Sequence, residues 1–167
     1  MLTCAFSCKS PQPLCTWQPP AYEWAGAVTG CSDGSAFEPV AGLVGANTTS
    51  ALDNSDDTTE LIVLPFEFNW LGIYPVTVVR VSTNGFINVD KNNTPSANDM
   101  CCEGVPIVEN STPSRISVLH EDLHPGNGGT IFLFHNTTST PESFVVSWEE
   151  VDFYGPFRGE ANAQIVL

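Results

Sequence analysis

The feature that most constrains this chain is a set of short runs in which apolar residues alternate. In residues 61–68, Ile62, Leu64, Phe66 and Phe68 fall on one side. In residues 143–149, Phe144, Val146 and Trp148 do the same. A period of two suits a half-buried strand, because successive side chains leave the pleat on opposite faces. No segment carries a convincing 3.6-residue period, and Gly, Pro and Asn clusters separate the runs. Many short strands with such turns predict an all-β fold, an antiparallel β-sandwich of jelly-roll or immunoglobulin-like architecture. The expected strands are 22–28, 61–68, 76–82, 86–89, 115–119, 130–135, 143–149 and 161–167.

Local residues refine this expectation. Pro65 has no N–H to donate, which places its strand at a sheet edge or a bulge. Asn84-Gly85 between two β-patterned runs predicts a tight hairpin with φ > 0 at both positions. The stretch 30–60 is rich in Gly, Asn, Asp, Ser and Thr, and 90–114 reads as a long polar loop. The sequence stops on the apolar strand Ile165-Val166-Leu167, whose outer neighbour is left unidentified, and the sandwich is expected to lack a closing strand.

Six cysteines imply an oxidising compartment. Cys4, Cys8, Cys15 and Cys31 crowd the start, while Cys101 and Cys102 are adjacent. Neighbouring cysteines rarely bridge each other, so one of this pair is expected to reach the N-terminal group. All 15 pairings stay open. Zinc is disfavoured for the first four, because the CxxC spacing of most structural zinc sites is missing. Residues 1–21, rich in Cys, Pro, Ser and Gln, read as an extended disulfide-bonded arm, and 22–167 as the sandwich body. The first residues lack a signal-peptide pattern, so either a signal has been removed or the sequence is an excerpt of a longer chain. N-x-S/T sequons stand at Asn47, Asn92, Asn110 and Asn136, in polar stretches between expected strands. N-linked glycans are expected on them.

Nineteen acidic residues against five basic ones give a net charge of −14. Phosphate needs Lys and Arg to displace its counterions, so a nucleic-acid partner is excluded, as is docking on anionic lipid. No apolar run approaches the ~20 residues that span a bilayer, so no membrane insertion is expected.

Several residues of this sequence resemble the nidogen-like (NIDO) extracellular domains. They are the run Leu64-Pro-Phe-Glu-Phe-Asn-Trp-Leu-Gly-Ile-Tyr, then Val81-Ser-Thr-Asn-Gly-Phe-Ile, Ile116-Ser-Val-Leu-His-Glu-Asp-Leu-His-Pro, Gly128-Gly-Thr-Ile-Phe, Phe144-Val-Val-Ser-Trp-Glu-Glu-Val and Asn162-Ala-Gln-Ile-Val-Leu. They cover residues 60–167. The resemblance implies a β-sandwich of matrix or surface-adhesion proteins without enzymatic activity. The sequence departs from the family in two places. His120 and His124 stand where the family has an aromatic and an acid, and the family usually continues past the last strand with a turn and another strand.

The motif that tempts most toward catalysis is His120-Glu121-Asp122-Leu123-His124, a literal H-E-x-x-H. Zinc proteases need it on a helix, which puts both histidines on one face. Here an expected strand precedes it and Pro125-Gly126 ends it. In extended chain its histidines lie about 13 Å apart, too far to share a metal. The pairs Glu121–Asp122 and Glu149–Glu150 fail as glycosidic dyads, because adjacent strand residues face opposite ways. No phosphate loop and no G-x-S-x-G occurs, so no enzyme is expected. Two acidic groups are candidate Ca²⁺ ligands: Glu121 and Asp122 with Asn127, and the loop Asp53-Asn54-Ser55-Asp56-Asp57 with Glu60. No other cofactor is implied. Trp17, Trp24, Trp70 and Trp148 fit core packing better than a sugar-stacking platform.

These readings lead to an extracellular structural glycoprotein. Its expected partners are copies of itself, joined when the N-terminal arm adds to a neighbour's open sheet edge, giving a fibre, appendage or matrix. The alternative is a monomeric adhesion module for glycan or matrix protein, with Ca²⁺ as an aid.

Overall fold

The structure is a computed structural model. It describes the main chain of residues 3–6, and residues 39–89, 114–119, 121–155 and 159–167. The expected strand 22–28, His120, Trp17, Trp24 and the arm boundary at residue 21 lie outside the described residues, as do all the cysteines except Cys4.

Among the described residues eight strands and one helical turn follow one another: β1 (Thr3–Phe6), α1 (Ser50–Asp53), β2 (Thr59–Trp70), β3 (Tyr74–Ser82), β4 (Phe86–Asn88), β5 (Arg115–Ser117), β6 (Thr130–Asn136), β7 (Ser143–Asp152) and β8 (Glu160–Val166). They form two four-stranded antiparallel sheets, ordered β1-β8-β7-β6 and β2-β3-β4-β5. The sandwich read from alternation is therefore the fold. Its core takes one face from each sheet: Leu64, Val76, Val79, Val81, Ile87 and Ile116 meet Ile131, Leu133, Phe144, Val146, Trp148 and Ile165. Burying one such aliphatic side chain contributes about 1.5–3 kcal/mol. Trp148, fully buried, also bonds across the sandwich, its indole N–H donating to Ser82 O at 3.1 Å.

Pro65 sits as its chemistry requires. Among the described residues β2 is an edge strand, and its register with β3 breaks between Val63 and Phe68. Three expectations need correction. The Asn84-Gly85 connection is not a two-residue turn. Residues 83–85 join β3 to β4, and only Gly85, at φ 77°, is left-handed. That is the three-residue loop with Gly at its left-handed position, which frees the Asn84 side chain to point inward. Second, the stretch 30–60 includes one helical turn. Thr49 caps it by accepting from Leu52 N–H, and four residues are too few to show a helical period. Third, the last strand is not without an outer neighbour. The chain's own residues 3–6 supply it, pairing Thr3 with Val166, Cys4 with Ile165, Ala5 with Gln164 and Phe6 with Ala163.

Candidate functional site

One pole of the sandwich gathers three loops. The loop 54–58 leaves α1, the turn 83–85 joins β3 to β4, and residues 121–125 follow β5. Main-chain bonds lock the first two together: Thr83 N–H donates to Thr58 O at 2.9 Å, and Thr58 N–H to Thr83 Oγ1 at 3.1 Å. The third is tied to the far sheet, with His124 N–H donating to Asp152 O and Tyr154 N–H to Asp122 O, both at 2.7 Å. Leu123 and Phe153 form an isolated bridge between them.

Asn84 is the pin of this pole. It is fully buried. Its Nδ2 donates to Asp57 Oδ1 at 2.8 Å, and its Oδ1 accepts from Leu123 N–H at 2.9 Å. One side chain thus holds all three loops. The result brings carboxylate oxygens of Asp56, Asp57 and Asp122 within 4.8 Å of one another. Asp57 reaches its place through a left-handed backbone, φ 47°, a conformation Asp tolerates better than most residues. Asp56 Oδ1 and His124 Nδ1 are buried atoms without a hydrogen-bond partner. His124 Nε2 stands 3.8 Å from Asp56 Oδ2, too long for a hydrogen bond, and its ring stacks on Tyr154 with centroids 5.9 Å apart. Gly126 makes room for that ring, since a Cβ there would lie 2.8 Å from His124 Cε1.

The two acidic groups read from the sequence are thus recombined. Asp56 and Asp57 of one join Asp122 of the other. Asp53 is tied elsewhere, accepting from Ile131 N–H at 3.3 Å and from the Thr48 hydroxyl. Glu60 accepts from the Thr49 hydroxyl. Glu121 is not among the clustered carboxylates, and Asn127 closes a turn by donating its N–H to His124 O at 2.9 Å. The described residues of the H-E-x-x-H segment form no helix, so its helical premise fails. Glu149 faces the sheet's outer side, where it accepts from Val40 N–H at 2.6 Å, Ala41 N–H at 3.3 Å and the Ser147 hydroxyl at 2.8 Å. That role, like the inward turn of Asn84, was invisible in the sequence, because the partners lie 109 and 39 residues away. Trp70 is half-buried against the core, with Trp148 inside it. Of the sequons, Asn47 and Asn136 fall among the described residues, and Asn92 and Asn110 do not.

The described residues thus form a two-sheet antiparallel sandwich with one pole pinned by Asn84 and lined by Asp56, Asp57 and Asp122. The family model described as NIDO related matches residues 30–167, and the chain belongs to that family. Domains of this family are typically extracellular, of matrix or adhesion type. Searches among curated proteins and among solved structures found no match. No helix among the described residues is long and apolar enough to cross a membrane.

Proposed function

We infer that this domain is a non-enzymatic extracellular subunit that self-associates by strand exchange. The observation that supports this reading is the pairing of β1 with β8. The β8 edge accepts an extended strand, and the strand it accepts belongs to the N-terminal segment. The contact is four residue pairs long and is joined to the body through residues 7–38. The same pairing made with a neighbour's β8 keeps every main-chain bond and costs only the exchange of partners. Each subunit then donates one strand and receives one. Such head-to-tail contacts build a filament when the rotation between subunits does not close a ring. Deleting residues 1–20 tests the reading by sedimentation and negative-stain imaging. The deletion should abolish assembly, and polymers as abundant as those of the full chain would refute the exchange.

A second reading rests on the acidic pole. Asp56 Oδ1 is buried without a partner beside two further carboxylates. A Ca²⁺ ion held there would fix the three loops as a binding surface for glycan or matrix protein. Isothermal titration with Ca²⁺, followed by a glycan array, tests it. Silence in both, with polymers present, leaves the first reading alone.

A further inference from the structure

The outer edge of β6 is partly closed by the chain itself. Leu133 turns its N–H and C=O away from β7 and exchanges both with Asn47, at 2.7 and 2.9 Å. A period of two turns Ile131 and His135 the same way. The Ile131 N–H is taken by Asp53 Oδ1. The main chain of His135 has no partner on that side among the described residues. Among the described residues the edge therefore stays open at the Ile131 carbonyl and at its far end, where Asn136 stands. The loop before Asn47 is exposed too, with Leu43 at 46% and Val44 at 100% exposure.

Both asparagines on this edge begin sequons, Asn47-Thr48-Thr49 and Asn136-Thr137-Thr138. Asn47 is exposed, and its Nδ2 donates one of its two hydrogens to Gly45 O at 2.9 Å. Asn136 spends its Oδ1 on a tight turn, accepting from Thr138 N–H at 3.0 Å, Thr138 Oγ1 at 2.8 Å and Ser139 N–H at 3.2 Å. Its Nδ2 has no partner among the described residues. At each site one amide hydrogen is thus dispensable.

We propose that Asn47 and Asn136 carry N-linked glycans, and that these two sugars close the β6 edge and cover the Leu43–Val44 loop. The proposal rests on the extracellular reading of the domain. A lipid-diphosphate-linked oligosaccharide is the donor. Its anomeric C–O bond breaks, a C–N bond forms to Nδ2, one amide proton is lost and the lipid diphosphate leaves. The Gly45 bond survives, because Nδ2 keeps its second hydrogen. A paired strand must come within about 4.8 Å of β6. A hydrated oligosaccharide at residue 136, one position past the open rung, denies that approach. The sugar on Asn47, whose Nδ2 bonds to Gly45 O, would be attached next to the exposed Val44. With β6 closed, the β8 edge is left to strand exchange, and assembly stays one-dimensional.

The test uses the full chain secreted from eukaryotic cells. Amidase release of glycans in ¹⁸O-water, followed by peptide mapping, should convert both Asn47 and Asn136 to ¹⁸O-labelled Asp. An unmodified residue at either position overturns the proposal. Sedimentation then compares the glycosylated protein with the variant N47Q/N136Q. A second comparison uses wild-type protein stripped enzymatically after folding, because losing the Asn136 turn by mutation can itself perturb the loop. Both sugar-free forms should self-associate at concentrations about tenfold lower, as exposing one large aliphatic residue predicts. That gain should persist when residues 1–20 are deleted. Sedimentation identical to that of the glycosylated protein refutes edge closure. The two ideas fail separately: strand exchange is judged by deleting residues 1–20, and edge closure by removing the sugar.

Discussion

Replacing Asn84 with Ala should be among the most costly single changes at the acidic pole. The Leu123 N–H would remain buried without its acceptor, and an orphaned buried donor costs about 1–3 kcal/mol. The bond to Asp57 adds less, about 0.5–1 kcal/mol, because that carboxylate is exposed and screened. The sum is about 2–4 kcal/mol. For a domain of this size each kcal/mol moves Tm by about 2–4 °C, so the melt should fall by roughly 5–15 °C. Asn84→Asp separates the two bonds. It keeps an acceptor for Leu123 but turns the donor toward Asp57 into a second carboxylate. Two charges about 4 Å apart repel by about 1 kcal/mol in water and about 4 kcal/mol at an effective dielectric of 20. The loss should therefore shrink in 0.5 M salt or in millimolar Ca²⁺, whereas that of Asn84→Ala should not. Urea unfolding followed by tryptophan fluorescence reads both, since Trp148 bonds to Ser82 next to the turn. An Asn84→Ala protein within 0.5 kcal/mol of wild type, or an Asn84→Asp protein indifferent to salt and Ca²⁺, would refute the pin.

Three further outcomes are expected. Gly129→Ala combines a left-handed φ of 80° with a Cβ 2.4 Å from the main chain of Glu150 and Val151, so urea unfolding should show a loss of about 2–5 kcal/mol. Glu149→Ala strands the buried Val40 N–H and should cost about 1–3 kcal/mol, while Glu149→Gln, which keeps one acceptor, should cost less in the same assay. If the Asp56–Asp57–Asp122 cluster takes Ca²⁺ with the affinity of about 10⁻⁴–10⁻³ M found in extracellular modules, millimolar Ca²⁺ should raise Tm by a few degrees over EDTA. Asp122→Asn should remove that rise.

The sheets were legible because their signal is local. Ile62, Leu64, Phe66 and Phe68 point inward, and Phe144, Val146 and Trp148 fill the core, as alternation requires. Pro65 announced its edge strand because a missing donor has few places in a sheet. The site was legible only in fragments. Asp56, Asp57 and Asp122 meet because Asn84 bonds to two segments distant in sequence, and no local pattern encodes that. Asn84 was conspicuous as a turn former, yet the same Gly85 that supplies the left-handed position releases its side chain for the second task. The partner of β8 was missed for a related reason. Thr3–Phe6 is too short to alternate visibly, and its partner lies at the opposite end of the chain.

The edges of the two sheets show how such a sandwich limits its own association. An uncovered strand offers unpaired donors and acceptors to any extended chain, so each edge needs a device. At β6 the device is Asn47 and Asp53, which take both outward groups of Leu133 and the N–H of Ile131. At β5 it is brevity, three residues. At β2, the longest strand, the outward face exposes Leu61 and Val63 and is the more exposed to misuse. There Pro65 withholds a donor at mid-strand, the register shift between Val63 and Phe68 bends the ladder, and exposed Glu67 adds charge. β8 is not an edge among the described residues, because β1 covers it. Its neighbour β1 is four residues long and is continuous with the rest of the chain only through residues 7–38. The short β1 edge thus differs from the other three, and the proposed exchange would use that difference. A subunit that joined its neighbours in one direction only, as proposed, would require that difference.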